Sequence, residues 1–170
     1  MKRAILLTGF NNWGKTTHIY SLFARKVFYK NAIYSIQNVN ASFIVESHSN
    51  DDLGEFRFID LIKERITTVP NGNNQNIFCA FCPAREPTND SARILANPPF
   101  SQFDEIHLLL LKYKWDWHAE LRIADLRGYL AGIRNVSLTV IDADQTQTTD
   151  QNRKLAREGQ IMRYLQVLFP

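Results

Sequence analysis

Five apolar runs, at residues 4–8, 42–46, 77–82, 105–112 and 136–142, constrain the fold of this chain more than any other feature. Each is rich in Ile, Leu, Val and Phe, short enough for a strand, and too continuous for a strand with one face in water, so each reads as buried on both faces. Helical patterns separate most of them. Residues 15–29 place Ile19, Leu22, Phe23 and Val27 on one side, and a second pattern, about 53–67, follows the polar cluster SNDD, which suits a helix start. A third, about 118–133, aligns Ile123, Leu126, Leu130 and Ile133. The last opens with capping-box spacing at Thr148, Thr149, Asp150 and Gln151 and carries Leu155, Met162, Leu165 and Phe169 inward. Parallel strands need crossovers, and helices are the usual ones. The expectation is an α/β three-layer sandwich with a mostly parallel five-stranded sheet and helices on both faces. Residues 36–41, 69–76 and 85–100 read as loops, the last with a short helix around residues 90–95.

The chain has 170 residues, 45% hydrophobic and 22% charged, which suits a single domain over residues 1–170 with a core that needs no staples. A net charge of +3 with dispersed basic residues argues against nucleic acid or an acidic membrane as partner. No apolar stretch is long enough to span a bilayer, and the first strand begins too early to leave room for a secretory leader, so a cytoplasmic location is expected.

The chemistry concentrates in TGFNNWGKTT, directly behind the first apolar run. Gly9, Phe10, Asn11, Asn12, Trp13, Gly14, Lys15 and Thr16 fit G-x-x-x-x-G-K-[ST] between a strand and a helix. At average residue frequencies a chance match in such a chain is on the order of one in a hundred or less. Gly9 permits a sharp exit from the strand, and Gly14 lets the backbone approach a phosphate. Successive amides then face one concavity at the positive end of the helix. Lys15 neutralises β- and γ-phosphate oxygens, Thr16 Oγ1 is placed to ligate Mg²⁺, and Thr17 lies within reach of the α-phosphate. Asn11, Asn12 and Trp13 contribute backbone amides, and the Trp13 ring either packs over the neighbouring loop or walls a ligand pocket.

On these residues and the strand–helix alternation, the chain resembles the P-loop NTPase superfamily. That resemblance implies ATP and Mg²⁺ as ligands and a second acid at the end of another buried strand. The run ending at Asp142 has that form, which makes Asp142 a metal-binding candidate beside Thr16, although the family usually carries this acid on the third strand; alternatively, DAD simply opens a loop. The stretch ESHSNDD after the second run offers Asp51 as general base, a position small-molecule kinases of this superfamily often use, while Asp51 and Asp52 suit helix capping equally. DDLG mimics a GTPase motif, but N-K-x-D is absent, so ATP is the expected nucleotide. Residues 82–95, CPAREPTNDSARIL, resemble the segment after the third strand of adenylylsulfate kinase and its relatives, which implies that Arg85 and Arg93 meet an anionic acceptor or the transferring phosphoryl group. Arg127 occupies the interval where those kinases carry a lid, either as a phosphate clamp or as a surface arginine.

The C-x-x-C of Cys79 and Cys82 reads as structural, because residues three apart on a strand face opposite ways and no second cysteine pair completes a zinc cage. KYKWDWH interleaves basic and aromatic residues, as single-strand nucleic-acid platforms do, but its tryptophans read as core. The function expected is an ATP-dependent phosphotransferase acting on a small acceptor. The alternative is an ATPase or nucleotide-dependent switch subunit acting through a protein partner, or a domain that binds nucleotide without turning it over.

Overall fold

The computed structural model describes residues 1–116 and 118–170. In chain order the elements are β1 (Arg3–Thr8), α1 (Lys15–Leu22), β2 (Tyr34–Ser35), β3 (Ser42–Glu46), α2 (Asn50–Leu53), α3 (Glu55–Thr68), β4 (Asn76–Phe81), β5 (Arg85–Glu86), β6 (Asn89–Asp90), α4 (Ser91–Ala96), β7 (Glu105–Leu111), α5 (Ile123–Leu130), β8 (Val136–Ile141) and α6 (Asp150–Leu168). The main sheet has six strands in the order β2-β3-β4-β1-β7-β8. Five are mutually parallel, as expected; the sixth, β2, pairs antiparallel with β3 through Tyr34↔Phe43 and is too short to leave a sequence signal.

Chain order dictates the layers. The step from β1 to β3 runs one way along the sheet, and every later parallel step runs the other way, so right-handed crossovers put α1 on one face and α3 on the opposite one. The aromatic contacts agree. Phe23, at the end of α1, meets Phe43 and Phe78 edge-on, and Phe169, just past α6, meets Phe43 in the same way. Phe81, three residues from Phe78 and hence on the other face, meets Phe58 of α3 and Phe100. Each such buried ring contributes on the order of 2–3 kcal/mol of apolar transfer.

The differences from expectation have local causes. The first helix stops at Leu22 because Ala24 turns left-handed (φ 49°), which leaves Val27 exposed. The second helical pattern divides at Gly54 into α2 and α3. Residues 85–90 form a two-stranded hairpin ahead of α4. The third pattern shortens to α5. As an edge strand, β8 is only half buried, unlike the central strands. In α6 the fully buried positions are Arg157, Ile161 and Leu165, while Leu155 is 56% exposed. Thr149 caps this helix, accepting from the Asn152 amide. Trp117 lies outside the described residues. No helix among the described residues is long and apolar enough to cross a membrane.

Candidate functional site

At the carboxyl end of β1 the Gly9 amide donates to Phe81 O at 3.1 Å, so the glycine-rich loop leaves the sheet between β1 and β4. Gly9 stands at a close approach: a Cβ there would lie 3.2 Å from Trp13 Cβ and 3.5 Å from its ring. Trp13 is accordingly buried, packed edge-on against Phe10 at 5.6 Å, which matches the packing alternative for this ring. Gly14 caps α1 at φ 86°, a left-handed conformation that a side chain resists, and a Cβ there would also press on the Trp115 ring at 3.2 Å. Asn12 is left-handed too, which asparagine tolerates.

Among the described residues no acceptor meets the amides of Gly14, Lys15, Thr16 and Thr17. The last three are the first amides of α1, which helix geometry always leaves without an intrahelical partner. They open on a cavity of about 170 Å³ bounded by loop residues, among them Asn11, Asn12 and Lys15, and by Asp52. Unpaired amides at the positive end of a helix are an anion-binding arrangement.

Lys15 is buried and folded back onto the loop, donating to Gly9 O at 2.8 Å and to Phe10 O at 2.9 Å. Its ammonium also lies 3.5 Å from Asp51 Oδ2. Asp51 and Asp52, equivalent in the sequence, have separate tasks. Asp52 Oδ2 accepts from the Ser49 amide and hydroxyl, both at 2.9 Å, and serves the cap of α2. Asp51 faces Lys15, and its Oδ1 shares the single Ser49 hydroxyl proton with Asp52, while its Oδ2 has no hydrogen-bond donor among the described residues. Glu46, earlier in the same segment, is committed to Arg65 at 2.6 Å in a buried pair.

Thr16 Oγ1 donates to Ser47 O at 2.9 Å, so its oxygen keeps its lone pairs. The structure does not bring Asp142 to Thr16. Asp142 follows directly on β8, which is separated from β1 by β7; its amide donates to Gln160 Oε1 at 2.9 Å, and its carboxylate lies 3.4 Å from Gln160 Nε2. Among the described residues no group of three or more His, Cys, Asp or Glu side chains is arranged to hold a metal. Thr16 Oγ1 and the Asp52 carboxylate are among the side-chain oxygens that bound this cavity and suit a hard cation.

Arg85 and Arg93, read together from the sequence, also diverge. Arg93 donates from Nε and Nη2 to Glu55, at 2.6 and 2.5 Å, and that pairing holds the Glu55 carboxyl below its ordinary range against the opposing effect of burial. Glu55 also accepts from the Asp90 amide at 2.9 Å. Asn50 completes the attachment of the hairpin: it accepts from the Cys82 amide at 2.7 Å and donates to Asn89 Oδ1 at 2.8 Å. Arg85 stands on this anchored hairpin, 4.8 Å over the Tyr129 ring of α5. It lines a second cavity of about 380 Å³ with Phe10, Leu121, Arg122, Asp125 and Tyr129. Phe10 is common to both features, since its carbonyl accepts from Lys15 and its side chain faces this cavity. Arg127 is exposed on α5.

Sequence reading missed Arg157, although its four-residue spacing from Ile161 and Leu165 marks it as part of the buried stripe of α6. Its guanidinium is wholly buried against Asp144 at 2.6 Å, and it donates to Tyr113 O at 2.8 Å and to Trp13 O at 3.4 Å. Fixing the Trp13 carbonyl fixes the whole planar peptide, so the Gly14 amide must point away from Arg157. Arg157 also lies 5.6 Å from the Trp115 ring, so Trp115, read as core in the sequence, packs between this guanidinium and Gly14. His18 was missed too. It is buried on α1, with Nδ1 3.1 Å from Glu158 and Nε2 without a partner.

Cys79 and Cys82 are free and buried. Burial, and then the nearby Asp51 charge, push the Cys82 thiol up to about 12; burial pushes Cys79 up as well. Both therefore stay protonated at neutral pH, the opposite of a redox or zinc-binding thiolate.

No family model, curated protein or solved structure matches this chain. What is shown is an α/β fold with a mixed, mostly parallel sheet flanked by helices and an amide cradle at the carboxyl end of β1.

Proposed function

We propose that this chain is a P-loop phosphotransferase that moves the γ-phosphoryl group of MgATP to a small acceptor. The observation carrying this reading is the convergence of the unpaired amides of residues 14–17, the Lys15 ammonium, and the Asp51 carboxylate 3.5 Å from it, beyond the carboxyl ends of β1 and β3, parallel strands with β4 between them. The amides take the phosphates, and Lys15 exchanges the Gly9 and Phe10 carbonyls for phosphate oxygens. Mg²⁺, with Thr16 Oγ1 as protein ligand, would supply further neutralisation of the phosphoryl charge. Asp51 Oδ2 takes the proton of the acceptor hydroxyl as that oxygen bonds to the γ-phosphorus and the bond to the β–γ bridging oxygen breaks, releasing ADP. Catalysis on this reading is mostly charge placed in advance.

One observation favours the second reading, an ATPase or nucleotide-dependent switch that acts through a protein partner: among the described residues no carboxylate is hydrogen-bonded to Thr16 beside the cradle. Hydrolysis of ATP with no acceptor present, together with ATP-dependent association with a protein, would decide for it. The central test is calorimetric titration of MgATP into the wild-type protein and Lys15→Ala, with circular dichroism to verify the fold. Losing charge-assisted hydrogen bonds of this kind, worth about 1.5–3 kcal/mol, is expected to weaken binding by roughly 10- to 100-fold. Equal affinity in the two proteins overturns the assignment.

A further inference from the structure

The second cavity has a charge pattern that the fold itself does not use. Arg85 and Arg122 both line it, and among the described residues neither has a carboxylate partner or a side-chain hydrogen bond; Arg85 rests only on the Tyr129 ring. Elsewhere the arginines that shape the fold are committed: Arg65 to Glu46, Arg93 to Glu55 and Arg157 to Asp144. The cavity floor is apolar, formed by buried Leu121 beside Phe10 and Tyr129. Two carboxylates share the cavity: Glu120, whose Oε1 lies 3.5 Å from Lys112 Nζ, and Asp125, in the first turn of α5, which has no partner among the described residues.

A cavity of about 380 Å³ falls within the range of small-molecule sites, and an apolar floor with few charged groups at its edge suits binding of the body and orientation by the ends. We propose that this cavity binds a compact organic anion with a planar, apolar body. Its carboxylate or phosphate pairs with Arg85 and Arg122, its body lies against Phe10, Leu121 and Tyr129, and a hydroxyl or amine is held by Asp125. Guanidinium groups recognise such anions with directed, charge-assisted hydrogen bonds, and the hairpin carrying Arg85 is already anchored through Asn50 and Glu55. The cavity adjoins the phosphate-binding loop through Phe10, whose carbonyl accepts from Lys15. Taking the bound anion as the phosphoryl acceptor rests on the phosphotransferase reading; the existence of the site does not.

The test uses three probes of similar size, phenyl phosphate, benzoate and benzyl alcohol, titrated into the full chain by ligand-observed NMR in parallel with MgATP. Both anions are expected to bind at least tenfold more tightly than the alcohol, and Arg85→Gln and Arg122→Gln, verified as folded by circular dichroism, are each expected to weaken anion binding about tenfold. Phenyl phosphate binding that persists in the arginine variants but is lost in Lys15→Ala would mean the probe sits in the loop instead, and overturns the proposal. So does equal binding of anions and alcohol, or no binding of any probe at 10 mM, on the order of a Kd too weak to matter. MgATP binding reports on the phosphate loop separately, so a protein that binds MgATP but no anion refutes this inference alone. One that binds the anions through the two arginines but not MgATP refutes only the phosphotransferase reading.

Discussion

Around the glycine-rich loop, Lys15, Asp51, Arg157 and Asp144 are drawn out of water and paired, whereas across the hairpin and α5 Arg85 and Arg122 stay exposed and, among the described residues, without an ion-pair partner. The two rims adjoin at Phe10. A buried charge costs several kcal/mol unless it is paired and hydrogen-bonded, so the charges of the first rim must also hold backbone in place, and Arg157 does so at Trp13 O and Tyr113 O. The exposed guanidinium groups of the second rim carry no such cost and give the fold little. The difference separates charge that builds a site from charge left free to meet a ligand.

The largest expected effect breaks the paired rim. Arg157→Leu leaves Asp144 as a buried carboxylate without its partner and should destabilise the fold by about 3–5 kcal/mol in urea denaturation, with recovery when Asp144 is also made apolar. Arg122→Gln, the same residue type on the other rim, should change stability by no more than about 0.5 kcal/mol. Equal losses would erase the distinction between the rims. Next comes Asp51→Asn, which keeps the side chain's shape and removes its capacity to take a proton. If Asp51 is the base, steady-state phosphoryl transfer should fall on the order of 10²-fold or more in kcat, with a smaller change in the KM for ATP. A loss confined to KM would make Asp51 a partner of Lys15 and no more.

Much of this comparison was illegible in the sequence for reasons that can be stated residue by residue. The central parallel strands announce themselves because burial on both faces leaves continuous apolar runs, and the loop is readable because its spacing is a backbone requirement that tolerates Phe10 and Trp13 between the glycines. The edge strand β2 has only Tyr34 and Ser35, too few for any period. Asp51 and Asp52 share a helix turn, and only the approach of Lys15 from another element separates base candidate from cap. Arg157 reads as a solvent residue until the packing of α6 is known: of the residues assigned inward, Leu165 and Phe169 are buried and Met162 packs against the core, while Leu155 is exposed and Arg157 takes a buried position. Asp142 has the right local pattern, but its strand sits at the sheet edge, a matter of strand order that no local pattern encodes.

The smallest expected effect probes His18, buried beside the first rim with its Nε2 unpartnered among the described residues. Burial lowers the pKa of His18 from its ordinary value of 6.5, and the neighbouring Arg157 and Lys154 act in the same direction, against the attraction of Glu158. Protonating Nε2 would place a charge beside Gly14 and the Trp115 ring with no acceptor among the described residues to receive it. The unfolded chain thus binds a proton near pH 6.5 that the folded chain refuses until lower pH, so stability is complete above that value and declines as pH falls toward the folded-state pKa. Each histidine kept neutral contributes a slope of at most about 1.4 kcal/mol per pH unit. His107, lowered mainly by burial, acts with the same sign, and Glu158 is held below its ordinary 4.5 by His18 and Lys154 despite burial, so its own contribution is lost only in more acid solution. Urea denaturation between roughly pH 5 and 6.5 therefore isolates the histidines. His18→Gln should flatten the slope there without abolishing it, because His107 remains. An unchanged slope would mean that His18 finds an acceptor when protonated, and that the loop end of α1 accommodates a charge the paired rim has no place for.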